Sequence, residues 1–149
     1  MEFRKSIDFA HENKFSLIIA LDCGIKAVDK VAYAKEKNID FIICDHHTPD
    51  DILPNAIAVL DSKRIDCTYP YKHLSGCGVG FKFMQAFAQN NGLDFASLKP
   101  FLDLVAVSIA CDIVPITGEN RILAYYGLKQ LSENPSVGLK GIIDVCNLS

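Results

Sequence analysis

The sequence predicts an α/β fold, a parallel sheet flanked by helices, with a helix-rich C-terminal half. Short apolar runs at residues 16–21, 40–44 and 56–60 each stop at an aspartate or a turn. The first two runs enclose a stretch of helical period, which makes a strand–helix–strand unit. From residue 78 onward the apolar residues recur at helical spacing only.

Residues 5–14 read as the tail of a helix. The run Ser-Leu-Ile-Ile-Ala-Leu at 16–21 is apolar throughout, as in a strand buried on both faces. Residues 27–37 place Val28, Val31 and Ala32 among charged residues, a helical period that Asn38 breaks. Asp-Phe-Ile-Ile-Cys at 40–44 is the second strand, parallel to the first through a right-handed crossover. Residues 56–60 form a third strand and residues 61–77 a loop. Helices are expected at 78–91, 98–110 and 120–131, with a last one starting at 139. Pro115 and Gly118 separate two of them. The 149 residues read as one α/β unit without internal repeat or linker.

Half the residues are apolar and 22% are charged, the balance of a globular chain. The net charge of −3 excludes a protein that coats a duplex through a positive surface. Any nucleic acid is then handled at a focused site. The six cysteines lie mostly in or beside apolar runs and include no C-x-x-C pair, so free thiols in a reducing cytosol are expected. No apolar stretch is long enough to span a bilayer, and the N-terminus lacks a signal-peptide core. A cytoplasmic setting and no membrane partner follow as expectations.

Ligands of open parallel sheets sit at the carboxyl ends of the strands. Asp22 ends the first strand, and Asp45, His46 and His47 end the second. If these strands are neighbours, Asp22 and His46 face one crevice edge. Carboxylate and imidazole together suit Mn, Fe, Zn or Mg. Asp112 is a third candidate, because an acid at the end of the apolar run 104–110 needs a reason and a metal supplies one. Turn or backbone capping is the other reading for Asp22 and Asp112.

Four segments follow one another in order: Leu21-Asp22-Cys23-Gly24-Ile25; Asp45-His46-His47; Leu74-Ser75-Gly76-Cys77-Gly78-Val79-Gly80-Phe81-Lys82; and Ala110-Cys111-Asp112-Ile113-Val114-Pro115 with Gly118-Glu119-Asn120-Arg121. Together they resemble the DHH phosphoesterase family and, within it, the RecJ-type single-strand-specific exonucleases. The resemblance runs over nearly the whole chain and implies an enzyme. It implies two divalent ions, Mn2+ or Mg2+, with Asp22, His46 and Asp112 as metal ligands. Asp45 is then an orienting group and His47 contacts the scissile phosphate or the activated water. The implied reaction is 5′-to-3′ hydrolysis of single-stranded DNA, with repair or replication proteins as possible partners.

The family's acidic D-x-D motif is not found in residues 1–21, and its C-terminal substrate-binding module is not found either. The expectation is therefore part of a catalytic domain, 1–149, weak or inactive alone. Cys77 stands where the family has a small apolar residue, and Asp61-Ser62 where Asn-Pro is frequent. Two other readings remain open: a phosphoesterase of short oligonucleotides, cyclic dinucleotides or pyrophosphate, and a non-catalytic scaffold in a repair or replication complex.

Ser75, Gly76, Gly78 and Gly80 before a helix suit either a phosphate-cradling entry or a tight turn with close packing. The resemblance makes Ser75 and Gly76 substrate-side residues. Lys63, Arg64, Lys72 and Lys82 lend local positive charge. Arg121 is assigned to substrate binding, paired to Glu119 or Asp112. His11 and His73 read as surface, and Tyr125 and Tyr126 as core and rim of a helix.

Overall fold

The computed structural model describes residues 3–147. Its packing forms two compact units, one up to Lys72 and one from His73. The first contains α1 (Phe3–Glu12), β1 (Leu17–Leu21), α2 (Val28–Glu36), β2 (Asp40–Cys44) and β3 (Ala58–Leu60). The sheet is parallel with order β1-β2-β3. Each helix of this unit stops through a left-handed residue, Lys14 at φ 61° and Asn38 at φ 56°. The following amides then reach back into the last turn, Phe15 to Ala10 and Ile39 to Ala34.

Ile7 and Ala10 of α1, Val31 and Ala34 of α2, and Ala20, Phe41 and Ile43 of the strands make one core. This core covers a single face of the sheet. The expectation that β1 is buried on both faces is corrected here. Leu17, Ile19 and Leu21 are 41%, 45% and 54% exposed. Strand side chains alternate between faces, so the residues flanking Ala20 point away from the helices. Among the described residues β1 is also the outer strand of the sheet, a position that an apolar run does not reveal.

The second unit contains α3 (Gly76–Asn90), two single 3₁₀ turns (Phe95–Ser97 and Lys99–Phe101), α4 (Leu102–Cys111), α5 (Gly118–Glu133) and α6 (Val137–Cys146). The expected helix 98–110 begins as the second of those turns. Pro100 has no N–H and fits a first turn. Phe81, Ala88, Leu98, Leu102, Val105, Ile109 and Ala124 form the core. Gly127 lets α5 approach α4 closely, since a Cβ there would lie 2.2 Å from the Leu102 carbonyl oxygen. The buried Asp103 accepts the Ser136 N–H at 2.6 Å and so fixes the entry to α6. Among the described residues, no helix is long and apolar enough to cross a membrane.

Candidate metal centre and active site

The parallel register sets Leu21 beside Cys44 and Cys44 beside Leu60. Asp22, Asp45 and Asp61 therefore leave the three strands in one row along the carboxyl edge. The ladder extends into this row: Asp22 N–H donates to the Cys44 carbonyl at 2.8 Å, and Asp45 N–H to that of Leu60 at 3.0 Å. Asp22 adopts φ 63°, which Asp tolerates better than most residues.

Asp45 is buried and wholly engaged. Its Oδ2 accepts Ile25 N–H at 2.9 Å. Its Oδ1 lies 2.7 Å from His46 N–H, 3.2 Å from His47 N–H and 2.7 Å from His47 Nδ1. Burial alone pushes this carboxyl up, but the hydrogen bonds from Ile25, His47 and His46 outweigh it and hold it below the usual range. His46 is buried and presents Nε2 to Asp22 Oδ1 at 3.2 Å. Its ring meets that of His47 edge-on at 4.5 Å. Asp22, His46 and His47 each offer one ligand atom, and these atoms lie within 4.8 Å of one another. One carboxylate and two imidazoles form a donor set that fits a divalent transition metal.

The neighbouring Asp61 has the opposite environment. It is buried, its Oδ1 accepts Lys63 N–H at 2.7 Å, and its Oδ2 accepts no hydrogen bond among the described residues. Burial pushes its carboxyl up against the pull of that N–H, and the Asp45 charge adds to the rise. Asp61 was not among the site residues expected from sequence. Its signal was available: it follows the third apolar run as Asp22 follows the first. Burial likewise raises the Cys23 thiol and pushes that of Cys44 up to about 11, so neither is a ready nucleophile. No disulfide joins any of the six cysteines.

The second unit gathers Ser75, Gly76 and Asp112. Ser75 caps α3, accepting Gly78 N–H at 3.1 Å. Asp112 caps the C-terminal end of α4, and its Oδ2 accepts Gly76 N–H at 3.0 Å and the Ser108 hydroxyl at 3.0 Å. Ile113 follows at φ 52°, a strained value for a β-branched residue, and is 89% exposed. Arg121 is exposed on the first turn of α5, where Glu119 accepts from Lys82 at 3.3 Å. Arg64 pairs with Asp66, and Lys72 donates to the Cys67 carbonyl. Three of the four cations expected to supply local charge are thus tied to protein groups. Tyr125 and Tyr126 are 66% and 55% exposed, which corrects their reading as core and rim. They stack edge-to-face at 5.1 Å on the outer side of α5.

An Asp-His-His triplet thus ends one parallel strand and faces an aspartate that ends its neighbour. The chain belongs to the DHH family: the description "DHH family, N-terminal domain" matches residues 2–109. Its similarity is to single-stranded-DNA-specific exonuclease RecJ. That of Bacillus subtilis (strain 168) is 42% identical over 132 residues, 89% of this chain and 16% of the relative. That of Escherichia coli (strain K12) is 34% identical over 151 residues, 95% of this chain and 26% of the relative. The crystal structure of RecJ from Thermus thermophilus in complex with Mn2+ superposes with a TM-score of 0.79 at 27% identity, covering 95% of this chain and 21% of that one. A crystal structure of exonuclease RecJ bound to manganese gives 0.81 at 26% identity, covering 97% and 36%. The chain thus spans 16% and 26% of the length of these two curated relatives.

Proposed function

We propose that these residues are part of the catalytic domain of a single-stranded-DNA exonuclease that hydrolyses phosphodiester bonds from the 5′ end with Mn2+ or Mg2+. The observation that carries this reading is the convergence of Asp22, His46 and His47 within 4.8 Å at the carboxyl edge of a parallel sheet. Asp22, His46 and Asp112 are the assigned metal ligands. The divalent ion that these residues would hold would supply activation of water and offset the charge that develops on the phosphoryl oxygens.

Asp45 acts through His47. Its depressed pKa keeps it ionised near neutral pH, and an ionised carboxylate only accepts hydrogen bonds. His47 Nδ1, 2.7 Å away, therefore carries the proton of that contact. In the neutral ring Nε2 then holds the lone pair, ready to take a proton from the attacking water or to meet the phosphate. Gly76 is assigned its role through Asp112, whose carboxylate its N–H holds. Ser75 and Arg121 are assigned to the substrate side.

The test is release of 5′-labelled nucleotides from a single strand with added Mn2+, by this chain and by a longer version extended at both ends. The longer protein should show Mn2+-dependent release that D22N and H47A each lower by about 100-fold or more. The 149-residue chain should be much slower, because a net charge of −3 repels phosphate. Release that is indifferent to Mn2+, or to D22N, overturns the reading.

A further inference from the structure

The first three N–H groups of α3 are all engaged by protein side chains. Gly76 N–H goes to Asp112 Oδ2 at 3.0 Å, Cys77 N–H to Ser108 Oγ at 3.3 Å, and Gly78 N–H to Ser75 Oγ at 3.1 Å. An anion approaching this helix end therefore meets amides already committed. The anion that the helix holds is the carboxylate of Asp112 itself. A helix N-terminus favours such a charge through its unpaired amides and its dipole.

Ser108 joins the two ends of this arrangement. It lies on α4 four residues before Asp112, one turn back along the helix. Its Oγ accepts from Cys77 N–H and donates to Asp112 Oδ2 at 3.0 Å. A hydroxyl has one hydrogen and two lone pairs, so both bonds form at once and the Cys77 bond directs the hydrogen towards Asp112. Two donors converge on Oδ2 and fix the carboxylate plane. The chain then leaves α4 through Ile113 at φ 52°, which persists only if its surroundings hold it.

We propose that Ser108 is a positioning residue for Asp112, orienting the carboxylate against the N-terminus of α3. The inference rests on the assignment of Asp112 as a metal ligand. Hydrogen bonds that orient a ligand from outside the coordination sphere are commonly worth a factor of about 10 to 100 in metal affinity. The role belongs to the hydroxyl, so threonine should replace it and alanine should not.

The experiment is calorimetric titration of the 149-residue chain with Mn2+ for wild type, S108A, S108T and D112N, with amide NMR spectra recorded without metal. S108A should weaken Mn2+ binding by about 10-fold or more. S108T should restore it to within about 2-fold, well inside that loss. The Gly76 amide resonance should move in S108A and stay in place in S108T. If S108A loses its fold, S108C keeps a side chain with a weak donor and takes its place. If D112N weakens Mn2+ binding while S108A leaves both affinity and the Gly76 amide unchanged, the positioning role is wrong and the metal assignment stands. If D112N binds Mn2+ as wild type does, the metal assignment fails and the role assigned to Ser108 falls with it.

Discussion

Asp22 and Asp112 end their elements in contrasting ways. Asp22 closes a strand and takes the left-handed conformation itself, at φ 63°. Its carboxylate is half-exposed and faces the buried ring of His46. Asp112 closes a helix with ordinary helical angles and passes the left-handed turn to Ile113. Its carboxylate accepts two hydrogen bonds from within its own unit. The strand end offers a charge that a cation can take at little structural cost. The helix end offers one that already holds a helix in place. Function and stability should therefore separate at Asp22 and stay coupled at Asp112.

The largest expected effect tests that coupling. D22N should lower Mn2+ affinity by about 100-fold with little change in Tm, since Asn tolerates the left-handed conformation as Asp does. D112N should lower both, with a stability loss of about 1–2 kcal/mol because its amide group replaces one acceptor oxygen and weakens the α3 cap. Equal Tm for the two variants would erase the contrast. The next effect belongs to the second unit alone. In G127A the added methyl meets the Leu102 carbonyl, and such overpacking costs about 1–3 kcal/mol or more, readable by urea denaturation. An unchanged midpoint would mean that α4 and α5 separate freely.

Within the first unit the comparison moves to Asp45 and Asp61, row neighbours displaced in opposite directions. Asp45 has a lowered pKa. Its stabilising contribution is complete above the ordinary carboxylate value of 3.8 and is lost as pH falls through its depressed value. Asp61 has a raised pKa. Its ionised form costs stability once pH rises above that value, and the cost is absent below 3.8. D61N should therefore raise stability near pH 7 by about 1 kcal/mol, and the gain should vanish in acid. A pH-independent gain in thermal melts from pH 3 to 7 would mean that charge is not its source. The smallest expected effect is I113G, which relieves the left-handed strain at an exposed position for about 1 kcal/mol. A fall in Tm would show that the Ile113 side chain makes a contact worth more than that strain.

Those residues also mark how far the sequence could be read. β2 at Asp40–Cys44 was legible because its apolar run is bounded on both sides by polar residues. The break at Asn38 was legible because Asn is one of the few residues that ends a helix in the left-handed conformation. The exposure of Leu17, Ile19 and Leu21 was not, because an apolar run reports composition and not which face a neighbour covers. Asp22, Asp45, His46 and His47 stood out as polar residues at the ends of apolar runs. Asp61 did so too, but burial and register gave it weight, and both are tertiary facts. Ser108 was invisible, since a serine inside an apolar helix carries no pattern of its own and draws its meaning from Asp112 one turn on and from α3.

The shared register of Leu21, Cys44 and Leu60 bears on which genetic changes the site can survive. A deletion of one codon inside β2 would draw Asp45, His46 and His47 back by about 3.3 Å and turn the following side chains to the other face of the sheet. Most point substitutions in the strand are milder, because they leave every position where it was. The segment between β2 and β3 carries no such constraint on its count of residues over 48–55. Insertions should accumulate there, and strand lengths should stay fixed wherever Asp22 and His46 still face each other.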